Sequence, residues 1–252
     1  MYHILKPYGS TKADERLNIV LNQVDFNNIR EFEAHLRELV GKFDSREPHL
    51  FLFGEAPFPE RYVPPAGAVK RMVKRISALL KEKHPASAVA FSVFENSPGT
   101  NKRSYIANNG YLIHASGHRF YPKVKLTPVD RAHSGLAYKD QAIWDEVAAV
   151  RKRRSSFPTH VFSTGHEVMF KVCADATIPA SNANGQILVV SAQDYGEGDF
   201  LHLKNHKLAV VNDGLASFVQ HGTSRVLTDF GNTHQSTLQK LSAEKIRIHN
   251  VI

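Results

Sequence analysis

The chain has 252 residues, 42% of them apolar, with 32 basic and 24 acidic side chains, a formal charge of +8 and one cysteine. A lone cysteine excludes an internal disulfide framework and a four-cysteine zinc site, and points to a reducing, cytoplasmic setting. No run approaches the ~18 apolar residues that a bilayer span needs, and residues 1–16 hold no apolar core of signal-peptide length.

The length suits a single domain over 1–252, with polar residues 1–15 as an N-terminal extension. Leu17 to Val24 predicts the first strand. Asn27 or Asn28 then caps a helix whose apolar residues Ile29, Phe32, Leu36, Leu39, Val40 and Phe43 form a stripe of 3.6-residue period. Leu50-Phe51-Leu52-Phe53 is apolar on both faces, as in a strand covered on both sides, and runs into Gly54-Glu55. A proline-rich loop leads to a second amphipathic helix over Val69 to Lys83, with Val69, Met72, Val73, Ile76, Leu79 and Leu80 inward.

Ala88 to Phe94 predicts a central strand and Ser97-Pro98-Gly99-Thr100-Asn101 a turn. Ser104 to Ala107 and Gly110 to Ala115 read as two strands joined at Asn108-Asn109-Gly110, because Asn-Gly is a strong hairpin cue. Arg119 to Pro128 reads as a strand edge, with Lys123 and Lys125 on one face by alternation. Tyr138 to Arg154, with Trp144, is expected to be helical. Strands follow at Val161 to Ser163, Val168 to Cys173, Ile187 to Ser191, Leu208 to Asn212, Ser217 to Gln220, Arg225 to Asp229 and Ile246 to Ile248. Helical material between them is thin, Ser181 to Asn184 and Asp199 to His206.

The basic residues are spread along the chain. The densest run, Arg151 to Arg154, closes an expected helix, where cations suit the helix dipole. With no zinc-finger spacing and no RNP-type aromatic motif, this argues for a solvated basic face and against a nucleic-acid partner. His166-Glu167 lacks the second histidine of a zinc helix, Gly196-Glu197-Gly198 lacks a third glycine, and His202 and His206 read as surface residues without a third ligand. No metal, organic cofactor or membrane is implied.

Three ionisable groups stand at predicted strand ends: Glu55, one of Lys123 and Lys125, and Cys173. A lone cysteine beside Val and Phe is ordinarily a small buried hydrophobe. The two charged groups change that reading. A free thiol is only a few per cent thiolate at neutral pH. A partly desolvated carboxylate has a raised pKa and can take the thiol proton, while an ammonium orients it and meets the oxyanion formed at an attacked carbonyl or nitrile carbon.

In the same order, Leu50-Phe51-Leu52-Phe53-Gly54-Glu55, Tyr121-Pro122-Lys123-Val124-Lys125-Leu126-Thr127-Pro128 and Val172-Cys173-Ala174-Asp175 resemble the glutamate, lysine and cysteine motifs of the nitrilase (carbon–nitrogen hydrolase) superfamily. Leu208 to Asn212 and His221 to Gly231 resemble its later strands. Gly54 stands where a proline is usual, Lys125 replaces a histidine, and Asp130 stands for a second glutamate. The resemblance implies a four-layer αββα sandwich. It also implies Cys173 as nucleophile, Glu55 as base, Lys123 and the Ala174 backbone N–H as oxyanion partners, and Asp130 in a secondary role. The implied substrate is a small amide, nitrile or carbamoyl compound, cleaved through a thioester or thioimidate. Release of the acyl group to an amine, as in transferase members, and a silent binding protein of the same fold remain open. Members commonly pair through a full helix after the cysteine. This chain has a short polar stretch there, so a homo-oligomer is possible but not of an assumed form.

Overall fold

A computed structural model describes residues 16–59, 62–65, 67–98, 104–125, 127, 130, 157–178, 187–192, 206, 208–213, 217–221, 224–227 and 245–251. In chain order the elements are β1 (Leu17–Asn22), α1 (Ile29–Gly41), β2 (His49–Phe53), α2 (Ala68–Lys83), β3 (Ala88–Pro98), β4 (Ser104–His114) and β5 (Gly117–Pro122). Then come β6 (Thr159–Val161), β7 (Glu167–Val172), a 3₁₀ turn (Cys173–Thr177), β8 (Ile187–Ala192), β9 (Leu208–Asp213), β10 (Phe218–His221), β11 (Ser224–Leu227) and β12 (Ile246–Val251). The extension expected at 1–15 and the helix expected over 138–154 lie outside the described residues.

The strands form two six-stranded sheets, ordered β12-β1-β2-β3-β4-β5 and β11-β10-β9-β8-β7-β6. Antiparallel strands complete the first sheet at one edge and the second at both. β12, β1, β2 and β3 are mutually parallel, as are β7, β8 and β9. Their apolar runs are continuous because both faces are covered. In β2, Leu50 and Leu52 pack into the core between the sheets, while Phe51 and Phe53 pack beneath the two helices. Each helix turns one stripe down onto that outer face: Ile29, Phe32, Leu36, Leu39 and Val40 from α1, and Val69, Met72, Val73, Ile76 and Leu80 from α2. Asn28, not Asn27, is the cap of α1. Its side chain accepts from the N–H groups of Arg30 and Glu31, and Glu31 reaches back to the N–H of Asn27.

The expected hairpin at Asn108-Asn109-Gly110 is not there. β4 runs unbroken through all three residues, paired with β3 from Ser104 to His114, and β3 itself continues to Pro98. The glycine answers a packing need. A Cβ at Gly110 would stand 2.7 Å from Tyr121 Cε1, 2.8 Å from Val172 Cγ2 and 3.0 Å from Phe170 Cε1. The flat backbone there lets the second sheet close onto the first. The strand expected over 119–128 also ends early, at Pro122. Lys123 and Lys125 therefore do not share a face: Lys123 is buried and Lys125 is exposed. His206, expected at the surface, is buried.

Polar side chains pin the sheets together near the C-terminal ends of their parallel strands. Asn212 Nδ2 donates to the carbonyls of Asn22 (2.9 Å) and Leu52 (2.7 Å), and Ser191 Oγ to that of Phe53 (2.8 Å). The Val172 N–H donates to Tyr121 Oη at 2.6 Å. Among the described residues no helix is long and apolar enough to cross a membrane, and no group of three or more His, Cys, Asp and Glu side chains could hold a metal ion.

At the far side of the first sheet His49, His84 and His249 are buried around Phe43. Burial holds His84 below its ordinary pKa and takes His49 and His249 from 6.5 down to about 4. Asp44 opposes this at His49 and His84, while Arg247 reinforces it at His249. The unfolded chain thus binds more protons than the native one between those values. Stability should be full above pH 6.5 and fall toward pH 4, by up to ~3 kcal/mol for each of His49 and His249. Urea unfolding at a series of pH values checks this. Gly110→Ala should cost roughly 2–4 kcal/mol in the same assay, because the added methyl meets both sheets.

Candidate functional site

β2, β5 and β7 deliver the candidate residues to one place. Glu55 follows β2 by one residue beyond Gly54, Lys123 follows β5 directly, and Cys173 follows β7 directly. In an α/β sheet this is where charged groups can leave the apolar core without losing its rigidity. The Glu55 N–H donates to the Ala192 carbonyl of β8 at 3.3 Å, so the carboxylate segment is fixed against the second sheet.

The centre of the cluster is Lys123, whose side chain is 1% exposed. Its Nζ stands 2.7 Å from Glu55 Oε1 and 2.8 Å from Asp130 Oδ2. The thiol of Cys173 hydrogen-bonds the Glu55 carboxylate and also interacts with the Lys123 charge. Four of the sequence-predicted residues therefore converge, and Ala174 is carried along as the residue after the thiol. Lys125 does not join them. Its ammonium reaches Thr177 Oγ1 at 3.0 Å on the outside of the 3₁₀ turn.

The electrostatics divide the two carboxylates. Burial raises the pKa of Glu55, and the Asp130 charge adds to that; the Lys123 ammonium opposes it without cancelling it. Burial presses on Asp130 in the same sense, but Lys123 and two donors from Thr127 outweigh it and hold Asp130 below its ordinary value. Burial would strip the proton from Lys123. The two carboxylates prevail, and the ammonium is held charged well past neutral pH. Glu55 is thus the carboxylate that can gain a proton, and Asp130 the one that stays ionised.

Two backbone positions in the site have left-handed conformations without being glycine: Ala56 at φ 46° and Cys173 at φ 43°. Each costs on the order of 1–3 kcal/mol and persists only where its surroundings enforce it. At Ala56, Ser92 Oγ accepts from the backbone N–H at 3.1 Å. At Cys173 the restraint is Asp175, two residues on. Its carboxylate accepts from the Val124 N–H at 2.9 Å and the Lys125 N–H at 2.5 Å, tying the turn that carries the thiol to the loop that carries Lys123.

Sequence reasoning missed this tie and one more residue, Asn108, which donates to Glu55 Oε1 and Asp130 Oδ1. No local pattern pointed to Asn108, because its Asn-Asn-Gly context reads as a turn. Lys171 is a further buried cation, unused by the cluster. It donates to the Ile178 carbonyl at 2.6 Å, lies over the Phe157 ring, and burial lowers its pKa to about 8.

No family model matches the chain, and no curated protein matches it. Solved structures do. An amidase from Nesterenkonia sp. superposes with a TM-score of 0.53 at 15% identity, covering 90% of this chain and 95% of that one. A mutant of the amidase from Nesterenkonia sp. AN1, showing covalent addition of the acetamide moiety of fluoroacetamide at its active site cysteine, superposes with a TM-score of 0.56 at 13% identity over 92% of this chain and 99% of that one. The carbon–nitrogen hydrolase from Helicobacter pylori G27 gives 0.54 at 12% identity, over 85% and 86%.

Replacing Lys123 with Met should leave Glu55 and Asp130 as neighbouring buried carboxylates without their cation. The expected loss is about 3–5 kcal/mol at pH 8. Both folded-state pKa values would rise above the unfolded ones, so the deficit should shrink as pH is lowered toward 5 and the pair takes up a proton. Urea midpoints at the two pH values read this directly. By its two stacked sheets, and by its superposition along nearly the whole length of these amidases, the chain has the fold of the nitrilase superfamily.

Proposed function

We propose that the protein is a thiol hydrolase that cleaves a non-peptide carbon–nitrogen bond of a small amide, nitrile or carbamoyl compound. The observation that carries the reading is the contact of one carboxylate, Glu55, with both the thiol of Cys173 and the ammonium of Lys123.

For an amide the steps follow from that contact. Glu55, with its raised pKa, takes the proton of Cys173 as the sulfur forms a bond to the carbonyl carbon. The carbonyl π electrons move onto oxygen. That oxyanion is met by the Lys123 ammonium and by the backbone N–H of Ala174. Collapse of the tetrahedral intermediate breaks the carbon–nitrogen bond, and Glu55 returns its proton to the departing nitrogen, so ammonia leaves and a thioester remains on Cys173. A water molecule then attacks the thioester carbon while Glu55 takes a proton from it. Collapse expels the sulfur, the proton returns to it, and a carboxylic acid departs. For a nitrile the same attack gives a thioimidate. Lys123 stays protonated throughout because Asp130 holds it so; Asp130 is a charge partner and not a second base.

The reading is supported by the fold relatives: mutants of the amidase from Nesterenkonia sp. AN1 form complexes with acrylamide and with butyramide. Small aliphatic amides are therefore the first substrates to try. In an assay for ammonia release over a panel of amides, nitriles and carbamoyl compounds, Cys173→Ala should abolish turnover and Glu55→Gln should lower it by about 10³-fold or more. Turnover by Cys173→Ala at the parent rate would refute the reading. A parent protein that alkylates quickly at Cys173 yet releases no ammonia, and instead passes an acyl group to an amine, would be the transferase of the same fold.

A further inference from the structure

We infer that Asn108 is a positioning residue for this chemistry: by donating to Glu55 and Asp130 together, it determines which oxygen of Glu55 exchanges the proton. The inference rests on the hydrolase reading and deepens it.

Asn108 lies within β4, opposite Phe94 of β3, and is 1% exposed. Its Nδ2 stands 2.7 Å from Glu55 Oε1 and 3.2 Å from Asp130 Oδ1. Its backbone carbonyl accepts from the Lys123 N–H at 2.8 Å. One residue therefore contacts both carboxylates and the backbone of the lysine. The amide has only one sensible orientation, because the two atoms facing it are carboxylate oxygens and need donors.

That orientation has a cost. With both hydrogens directed at the carboxylates, Oδ1 is buried with no hydrogen-bond partner among the described residues. A buried acceptor left in that state costs on the order of 1–3 kcal/mol. Asn108 is held in this orientation by its two carboxylate acceptors, at the expense of its own oxygen.

The consequence appears at Glu55. Oε1 receives Lys123 Nζ and Asn108 Nδ2, both at 2.7 Å. An oxygen with two donors on it is a poor place for a proton, which would have to displace one of them. The proton therefore goes to Oε2. Both donors can stay on Oε1 whether Glu55 is ionised or neutral, so the base cycles without rearranging its surroundings. Among the described residues, Glu55 is faced by Lys123, Asp130, Cys173, Asn108 and the Tyr121 phenol. Asp130 and burial favour the protonated acid; Asn108, like Lys123, favours the carboxylate. Without Asn108, Glu55 would hold its proton to higher pH and be spent as a base near neutrality.

Because Cys173 is the only cysteine, the test needs no substrate. The rate of its alkylation by iodoacetamide is followed by intact mass across pH 5 to 9 in the parent, Asn108→Ala, Asn108→Asp and Asn109→Ala. Asn109, on the opposite face of β4, donates to Glu95 at 2.7 Å and controls for a general disturbance of the strand. Asn108→Ala should move the acidic limb of the profile up by about one pH unit, an approximately tenfold slower reaction on that limb. Asn108→Asp should move it further, since it adds a carboxylate, and Asn109→Ala should leave it in place. Asn108→Ala with the parent profile, at parent far-UV circular dichroism, overturns the proposal. If Asn108→Ala does not fold, Asn108→Ser decides: it keeps one donor in less space, and a smaller upward shift supports the proposal while an unmoved limb overturns it. A parent thiol that resists alkylation at every pH would sink the hydrolase reading itself. A thiol that reacts along a limb indifferent to Asn108 would sink only the positioning role.

Discussion

A single ammonium held between two buried carboxylates is the constraint from which the rest of the structure can be understood. Lys123, Glu55 and Asp130 carry one positive and two negative charges where water is largely excluded. Such a group is tolerated only when every member is paired and hydrogen-bonded, since the desolvation of each ion costs several kcal/mol. Lys123 and Asp130 lie seven residues apart in one segment, and Glu55 comes from a segment 68 residues before the lysine. Their convergence therefore requires that the segments be rigid before they meet. That is the service performed by β2, by β5, and by Asp175, which bridges the thiol turn and the lysine loop.

Apolar burial alone would not position these strand ends. A core of Leu, Ile and Val between two sheets is tolerant of sliding, because one aliphatic contact is much like another. The bonds from Asn212, Ser191 and Tyr121 across the sheets are directional, and they cluster at the strand ends that feed the site. Each fixes a backbone carbonyl or N–H of one sheet to a side chain of the other. Gly110 works to the same end by subtraction: the missing side chain lets Tyr121, Phe170 and Val172 meet over β4. The close approach of the sheets and the close approach of the charged groups have one structural cause.

The parts of this arrangement that depend on local pattern were legible in the sequence. The double-sided apolar run Leu50 to Phe53 and the helical stripes of α1 and α2 correspond to burial on the faces their periods specify. Glu55 and Cys173 stood out because each follows an apolar run, and Lys123 was separated from Lys125 only by the lysine motif that its segment resembles. What depends on tertiary context was not legible. Asn-Gly is a turn signal when nothing else competes for it, yet here Asn108 is drawn to two carboxylates and Gly110 to a sheet contact. Both favour an extended strand, and together they override the local preference. Lys123 and Lys125 looked equivalent by alternation, yet the chain leaves the strand where Asp175 captures the N–H groups of Val124 and Lys125, a contact spanning some fifty residues that no local window contains.

The same donor count distinguishes two carboxylates that composition alone would treat alike. Asp130 receives four donors: the Thr127 N–H and hydroxyl, Lys123 Nζ and Asn108 Nδ2. Three of them fall on Oδ2 and one on Oδ1, and each bond stabilises the charged form. Glu55 receives two nitrogen donors, both on Oε1, and the thiol. The one-methylene difference between them works in the same direction. The shorter side chain of Asp130 is bound closely to its own Thr127 and is held at the rear of the ammonium. The longer one reaches past the strand end to the sulfur. Environment, not acid type, makes one of these groups a fixed counter-charge and the other a base.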